Sequence, residues 1–194
     1  MTAFTQTLMA VIVGAVLAAL GGFMATQVGI WIDRSRRARN AALLSGEILA
    51  GVETLLRLAE EAALRGTFLD PLPSRLLSFA RREIDVYDRN RELLFSLRNA
   101  DLRARLHSFV IRLSIPLDRL ADDRARYIEL CSIGPAPSRQ AEELRTEMDS
   151  VFRYLTKSRD LIPELLASLR PLARDRFDSY SRIDGDGIRR GETS

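Results

Sequence analysis

The longest stretch without a charged residue lies at the start of the chain, where apolar side chains dominate from Leu8 to Ile32 and the first charge is Asp33. As a helix, residues 8–32 would rise about 37 Å, enough to cross a hydrocarbon core of about 30 Å. A cleaved signal peptide is the competing interpretation. Such a peptide has a positive N-terminal region and a short apolar core, whereas residues 1–7 carry no charged side chain. The pattern therefore predicts a retained transmembrane helix at 8–32, preceded by a short extracytoplasmic N-terminus at 1–7.

A basic cluster follows the apolar run directly. It consists of Arg34, Arg36, Arg37 and Arg39. Because basic residues beside a membrane span stay on the cytoplasmic side, we expect the N-terminus outside and the rest of the chain in the cytoplasm. The same arginines could also bind anionic lipid head groups. Arginine supplies all but one of the 29 basic residues, which suggests a GC-rich bacterial genome and hence the bacterial inner membrane.

Small residues recur along one face of the predicted span at steps of three and four. They are Gly14, Ala18, Gly21, Ala25 and Gly29. Small side chains let two helix backbones approach closely within lipid, so this face is a candidate site of helix association. A chance distribution of common membrane residues is the alternative. If the face is used, its partner is a second copy of the chain or another membrane protein.

Beyond residue 33 the apolar positions follow helical spacing in four successive segments. The predicted helices cover about 34–65, 75–98, 101–131 and 139–171. Pro116 and Pro163 interrupt two of them without changing the phase, which favours kinks, although Asp160 could instead cap a separate short helix. We therefore predict an all-α chain whose membrane helix continues into a cytoplasmic up-down-up-down four-helix bundle at 33–172. The polar segment 173–194 is predicted to be disordered.

The nearest approach to a chemical constellation lies on the second predicted helix. Its expected inner face contains Leu76, Phe79, Ala80 and Ile84, together with the polar residues Glu83, Tyr87 and Asn90. Arg124 interrupts the apolar stripe of the third helix and is expected to pair with an acid on the fourth helix, such as Glu143 or Glu147. These polar side chains predict a hydrogen-bonded layer that fixes packing. They lack a nucleophile with a base, so we assign no catalytic residue.

Charge and cysteine content exclude several classes of function. The net charge is +3, and residues 33–39 account for all of it. The remaining chain therefore has no excess basic charge for nucleic acid, and we expect no nucleic-acid partner. With one cysteine and one histidine, an internal disulfide and a Cys/His zinc site are disfavoured, and no metal or cofactor is predicted.

Three functional hypotheses follow from this pattern. The first is a non-enzymatic inner-membrane scaffold, adaptor or accessory subunit whose partners are the bilayer and a membrane or cytoplasmic protein. The second is an effector whose membrane helices assemble into a pore under control of the bundle, although the span has no polar pore-lining stripe. The third is a ligand sensor or enzyme that uses the polar layer in the bundle core.

Overall fold

The computed structural model describes residues 3–132, 138–174 and 177, with side chains described from Gly14 onward except at residue 16. Over these residues the chain is all-α, as predicted, and contains no strand. The helices are α1 (Ala3–Arg65), α2 (Pro71–Arg89), α3 (Ala100–Ser132), α4 (Arg139–Ser158) and α5 (Ile162–Ala173), with 3-10 helices at Arg91–Ser96 and Arg159–Leu161. Residues 1–37 and 38–194 form two compact units. In the described part of the chain, no helix combines the length and the apolar character needed to cross a membrane.

The second half of α1 contributes a stripe of mostly small residues to the helical bundle of the second unit. The buried positions are Ala41, Ala42, Ser45, Gly46, Ile48, Leu49, Ala50, Gly51, Val52, Leu56 and Ala59. Leu56 is fully buried, whereas Leu44 and Leu55 are only partly buried against the core. Small side chains on such a face allow closer helix packing than large ones.

The second helix begins earlier than its predicted start at residue 75. Asp70 precedes the first residue, Pro71, and proline suits this position because the first helical N–H groups have no intrahelical partner. The Asp70 carboxylate accepts hydrogen bonds from the Thr67 backbone N–H at 2.8 Å and its hydroxyl at 3.1 Å. A methyl group on Gly66 would overlap that carboxylate. A side chain at position 66 would therefore displace the Asp70 carboxylate from this turn.

The inner face of α2 also differs from the prediction. Leu77, Ala80, Ile84 and Tyr87 are buried, whereas Phe79 is exposed. The helix ends at Arg89 rather than continuing to residue 98. The Asn90 side chain donates to the Val86 carbonyl at 2.8 Å, so it competes with the backbone for a helical acceptor. A 3-10 helix follows and carries the chain to the buried Leu97.

The two internal prolines behave differently. α3 continues through Pro116 as one helix, as the uninterrupted phase of its apolar residues predicts. The predicted helix at 139–171 instead divides near Pro163, into α4, the 3-10 turn Arg159–Leu161 and α5. Pro163 lies in the first turn of α5, a position that suits proline because the first helical N–H groups have no intrahelical partner. At the start of α4, Ser138 accepts a hydrogen bond from the Ala141 N–H at 3.2 Å, which makes it the N-cap of this helix.

Ion pairs between helices show how the bundle helices are aligned. Arg81 of α2 pairs with Asp118 of α3 at 2.5 Å. Between α3 and the C-terminal helices, Arg119 pairs with Glu147 at 2.7 Å and Arg105 with Glu164 at 2.5 Å. Arg159 pairs with Glu60 of α1 at 2.6 Å. Arg105 and Arg119 lie in ascending order on α3, whereas their partners Glu164 and Glu147 lie in descending order, so α3 runs opposite to the segment formed by α4 and α5.

The beginning of the predicted disordered tail, 173–194, is part of the packed bundle. Ala173 is the last residue of α5 and is fully buried, and Phe177 is also buried. A methyl group built on Gly46 would overlap the Phe177 ring, so this aromatic side chain lies directly on the glycine of α1. Residues 175, 176 and 178–194 lie outside the described part of the chain.

We predict that Gly46→Ala lowers the free energy of unfolding by about 1–3 kcal/mol, because the added methyl group must displace the buried Phe177 ring. Denaturant unfolding of the full chain in mild detergent measures the change. Gly29→Ala is the control, since a methyl group there meets no atom within 4 Å. In a Phe177→Ala background, Gly46→Ala should lower the free energy of unfolding by much less. An equal cost in both backgrounds would disprove the contact.

Candidate functional site

The small-residue face lies uncovered in the N-terminal unit. Gly14, Ala18, Gly21, Ala25 and Gly29 are all exposed, and a methyl group on any of the three glycines would meet no atom within 4 Å. Large apolar side chains of the same helix are exposed as well, among them Leu17, Leu20, Phe23 and Trp31. The face is therefore available for contact with another helix.

Two of the four arginines of the basic cluster contact other groups, one through an ion pair and one through a hydrogen bond. Arg34 and Arg36 are exposed, whereas Arg37 pairs with Asp33 one helical turn earlier. The Arg39 Nε donates to the Ala173 carbonyl at the end of α5, at 3.2 Å. A cation at that position satisfies a terminal carbonyl and interacts favourably with the helix dipole. Arg39 thus has a structural contact in the bundle that the sequence pattern did not indicate.

The predicted polar layer is not assembled in the described structure. Tyr87 is buried at 4% exposure, but Glu83 is only half-buried and Asn90 hydrogen-bonds within its own helix. Arg124 lies on α3 beside a different set of α2 residues, and the acids proposed to pair with it are used elsewhere. Glu143 pairs with Arg139 and Glu147 with Arg119. The predicted layer does not form, because the Asn90 amide hydrogen-bonds to the Val86 carbonyl at the end of α2 instead of reaching across the core.

The hydroxyl of Tyr87 has no hydrogen-bond partner among the described residues. It borders a cavity of about 10 Å³ whose lining includes Ala41, Ser45 and Leu94. Burial raises the pKa of Tyr87 to about 12, because the phenolate form would lose its hydration in this apolar environment. The side chain therefore acts as a packing element with an unfavourable polar end.

A cavity of about 430 Å³ lies between α2 and α3. We call it the α2–α3 cavity. Its apolar lining consists mainly of Phe68, Leu77, Leu117, Leu120, Ile128 and Met148. Small residues face each other across it, Ser74 and Ser78 on α2 and Ala121 and Ala125 on α3. Because these side chains are too short to fill the space between the helices, an opening remains. The serines and the alanines each lie four residues apart on their own helix, but the packing of α2 against α3 decides that they face each other.

Arginines surround the α2–α3 cavity. Arg81 pairs with Asp118 and Asp85, each at 2.5 Å, and the hydrogen bond to Asp118 raises the pKa of Arg81 above its usual value. The Arg82 guanidinium carbon lies 5.5 Å from the centre of the Phe79 ring. In the described part of the chain, neither Arg82 nor Arg124 forms an ion pair with a carboxylate. The cavity therefore combines an apolar interior with unneutralised positive charge.

We predict that Tyr87→Phe causes no loss of stability at pH 7, because it removes a buried hydroxyl that has no partner. Between pH 10 and 12, the free energy of unfolding of the wild type should fall by up to about 3 kcal/mol more than that of the variant. The native pKa of Tyr87 exceeds the unfolded value of about 10, so its contribution is complete below pH 10 and is lost as the pH approaches the native pKa.

Denaturant unfolding at a series of pH values measures this difference, with the exposed Tyr154 changed to Phe as the control. A marked loss of stability for Tyr87→Phe at pH 7 would mean that the hydroxyl has a favourable partner. That result would contradict the geometry of this site.

Comparison with known proteins adds no further constraint. No family model matches the chain, and no curated protein or solved structure is significantly similar to it. The function is therefore argued from the geometry and chemistry of this chain alone.

Proposed function

We propose that the chain is a single-pass inner-membrane protein whose cytoplasmic helical bundle is a non-catalytic scaffold, adaptor or accessory subunit. The observation that carries the proposal is the uncharged helical run at 8–32, which ends at an arginine cluster. From Leu17 to Ile32 its large apolar side chains are exposed. Such a surface is unfavourable in water and favourable in lipid. The arginines support an outside N-terminus and a cytoplasmic bundle.

The bundle in this proposal has the up-down-up-down arrangement of four helical segments, with α4 and α5 together forming the fourth. The ion pairs Arg105–Glu164 and Arg119–Glu147, which run in opposite order on α3 and on the α4–α5 segment, support this arrangement. The short connections between the helices support it as well, because they favour antiparallel neighbours. Such a bundle presents the outer faces of its helices to partners.

A partner surface is supported by exposed apolar residues on the outside of α2. Leu72, Phe79 and Val86 recur every seven residues, and each is exposed by 38% or more. A seven-residue apolar repeat on one helix face is the pattern by which helices pack against partner helices. We define these three residues as the heptad stripe and propose that it contacts an amphipathic helix of a partner protein.

We predict that Leu20→Arg releases the protein from the membrane fraction. A charge in the middle of a span costs about 2.5–3.5 kcal/mol on insertion scales, and the span is the only proposed anchor. Fractionation of cells and extraction of membranes with alkaline carbonate measure the release. Leu64→Arg is the matched control, because Leu64 is highly exposed in the bundle unit. Equal carbonate-resistant membrane association of Leu20→Arg and wild type would contradict the anchor.

We predict that the double substitution Leu72→Ser and Val86→Ser leaves the helix content unchanged but removes any stoichiometric protein partner. Native mass and composition of the full chain, extracted gently from its host, measure the partner. The control is Leu161→Ser, which removes an exposed apolar residue outside the heptad stripe. If the double variant keeps the same partner at the same stoichiometry, the heptad stripe is not the docking surface.

A further inference from the structure

The α2–α3 cavity has the size and lining of a small-molecule site. Its volume of about 430 Å³ falls in the range of about 300–1,000 Å³ that ligand pockets occupy. Leu77, Leu117 and Leu120 are buried side chains that form its interior. Ile128, which also lines the cavity, is exposed by 54%, so apolar surface continues from the interior to the opening. An aliphatic chain would cover this surface and remove it from water.

The positive charge at the cavity is only partly neutralised. Asp118 and Asp85 both pair with Arg81, and the lining of the cavity includes no carboxylate that could pair with Arg82 or Arg124. Arg124 also borders an adjoining pocket of about 270 Å³ with Arg75 and Ser78. The nearby Asp123 pairs with Arg119 instead. Two arginines beside an apolar cavity attract an anion, and guanidinium groups bind carboxylates and phosphates with paired hydrogen bonds.

We propose that the α2–α3 cavity binds a single-chain anionic amphiphile, with its acyl chain among the leucines and its carboxylate or phosphate head group at Arg124 and Arg82. A neutral lipid would leave the two arginines without a counter-charge. A small hydrophilic anion would leave the apolar interior uncovered. The amphiphile satisfies both parts of the site at once. A free fatty acid and a lysophospholipid share this chemistry and differ only in the head group.

The test is photocrosslinking of the full chain held in amphipol, which replaces detergent that would compete for the cavity. The two probes are palmitic acid and a lysophosphatidic acid, each with a diazirine in the acyl chain, and labelled peptides are identified by mass spectrometry. We expect at least one probe to label the lining segments 74–82 and 117–128 saturably. The probe that does so identifies the head group as carboxylate or phosphate.

Matched variants separate the head-group contact from simple apolar trapping. Arg124→Gln should raise the probe concentration for half-maximal labelling about tenfold, since a charge-assisted contact is lost. Arg126→Gln, the same change on an exposed position of α3 outside the lining, should leave that concentration unchanged. Ala121→Trp should abolish labelling by filling the cavity. Circular dichroism checks that each variant keeps its helix content.

Three results would overturn the proposal. The first is labelling by both probes confined to residues 14–32, which would indicate binding to the exposed apolar helix. The second is equal labelling of the cavity by a diazirine-bearing fatty alcohol, which would show that no anionic head group is recognised. The third is that Arg124→Gln leaves the probe concentration for half-maximal labelling unchanged, while Ala121→Trp still blocks labelling. The probe would then bind in the cavity without any contribution from Arg124.

Discussion

The bundle depends on burial of the small-residue stripe of α1 in the hydrophobic core. Ala41, Ala42 and Ser45 are buried, and Gly46 is covered directly by the Phe177 ring. Interhelical distance depends on the side chains at the contact, so small residues allow closer packing than a stripe of leucines. The buried Tyr87 side chain lines the same small cavity as Ala41 and Ser45 of this stripe. Its hydroxyl has no hydrogen-bond partner among the described residues.

Stability and alignment of the bundle have different physical sources. Each fully buried leucine, such as Leu56, Leu106 or Leu155, contributes about 1.5–3 kcal/mol from apolar burial. The interhelical ion pairs are partly exposed, and such pairs contribute about 0–1 kcal/mol each. Burial therefore supplies most of the stability, while the ion pairs favour one alignment of the helices over others. The cavity between α2 and α3 lies where small facing residues leave this burial incomplete.

The sequence predicts helix identity better than helix ends or side-chain roles. The spacing of apolar residues predicts the helices because a periodic pattern of buried residues is a local property of the chain. The same spacing correctly predicts that α3 continues through Pro116. The end of α2 depends on whether the Asn90 amide hydrogen-bonds to its own turn or across the core, and the spacing of apolar residues does not specify which. For this reason the predicted polar layer is not found in the structure. The α2–α3 cavity depends on which small residues face each other in three dimensions, and that information is absent from a single helix.

The central claim is that residues 8–32 cross the membrane and leave the bundle in the cytoplasm. The most direct measurement is labelling of single cysteines by a membrane-impermeant maleimide in spheroplasts, with Cys131→Ser as the background. Thr5→Cys reports the N-terminus, and Leu64→Cys reports an exposed position in the bundle unit. The account predicts that Thr5→Cys is labelled in intact spheroplasts and Leu64→Cys only after lysis. Labelling of both positions only after lysis, or of Leu64→Cys in intact spheroplasts, would contradict it.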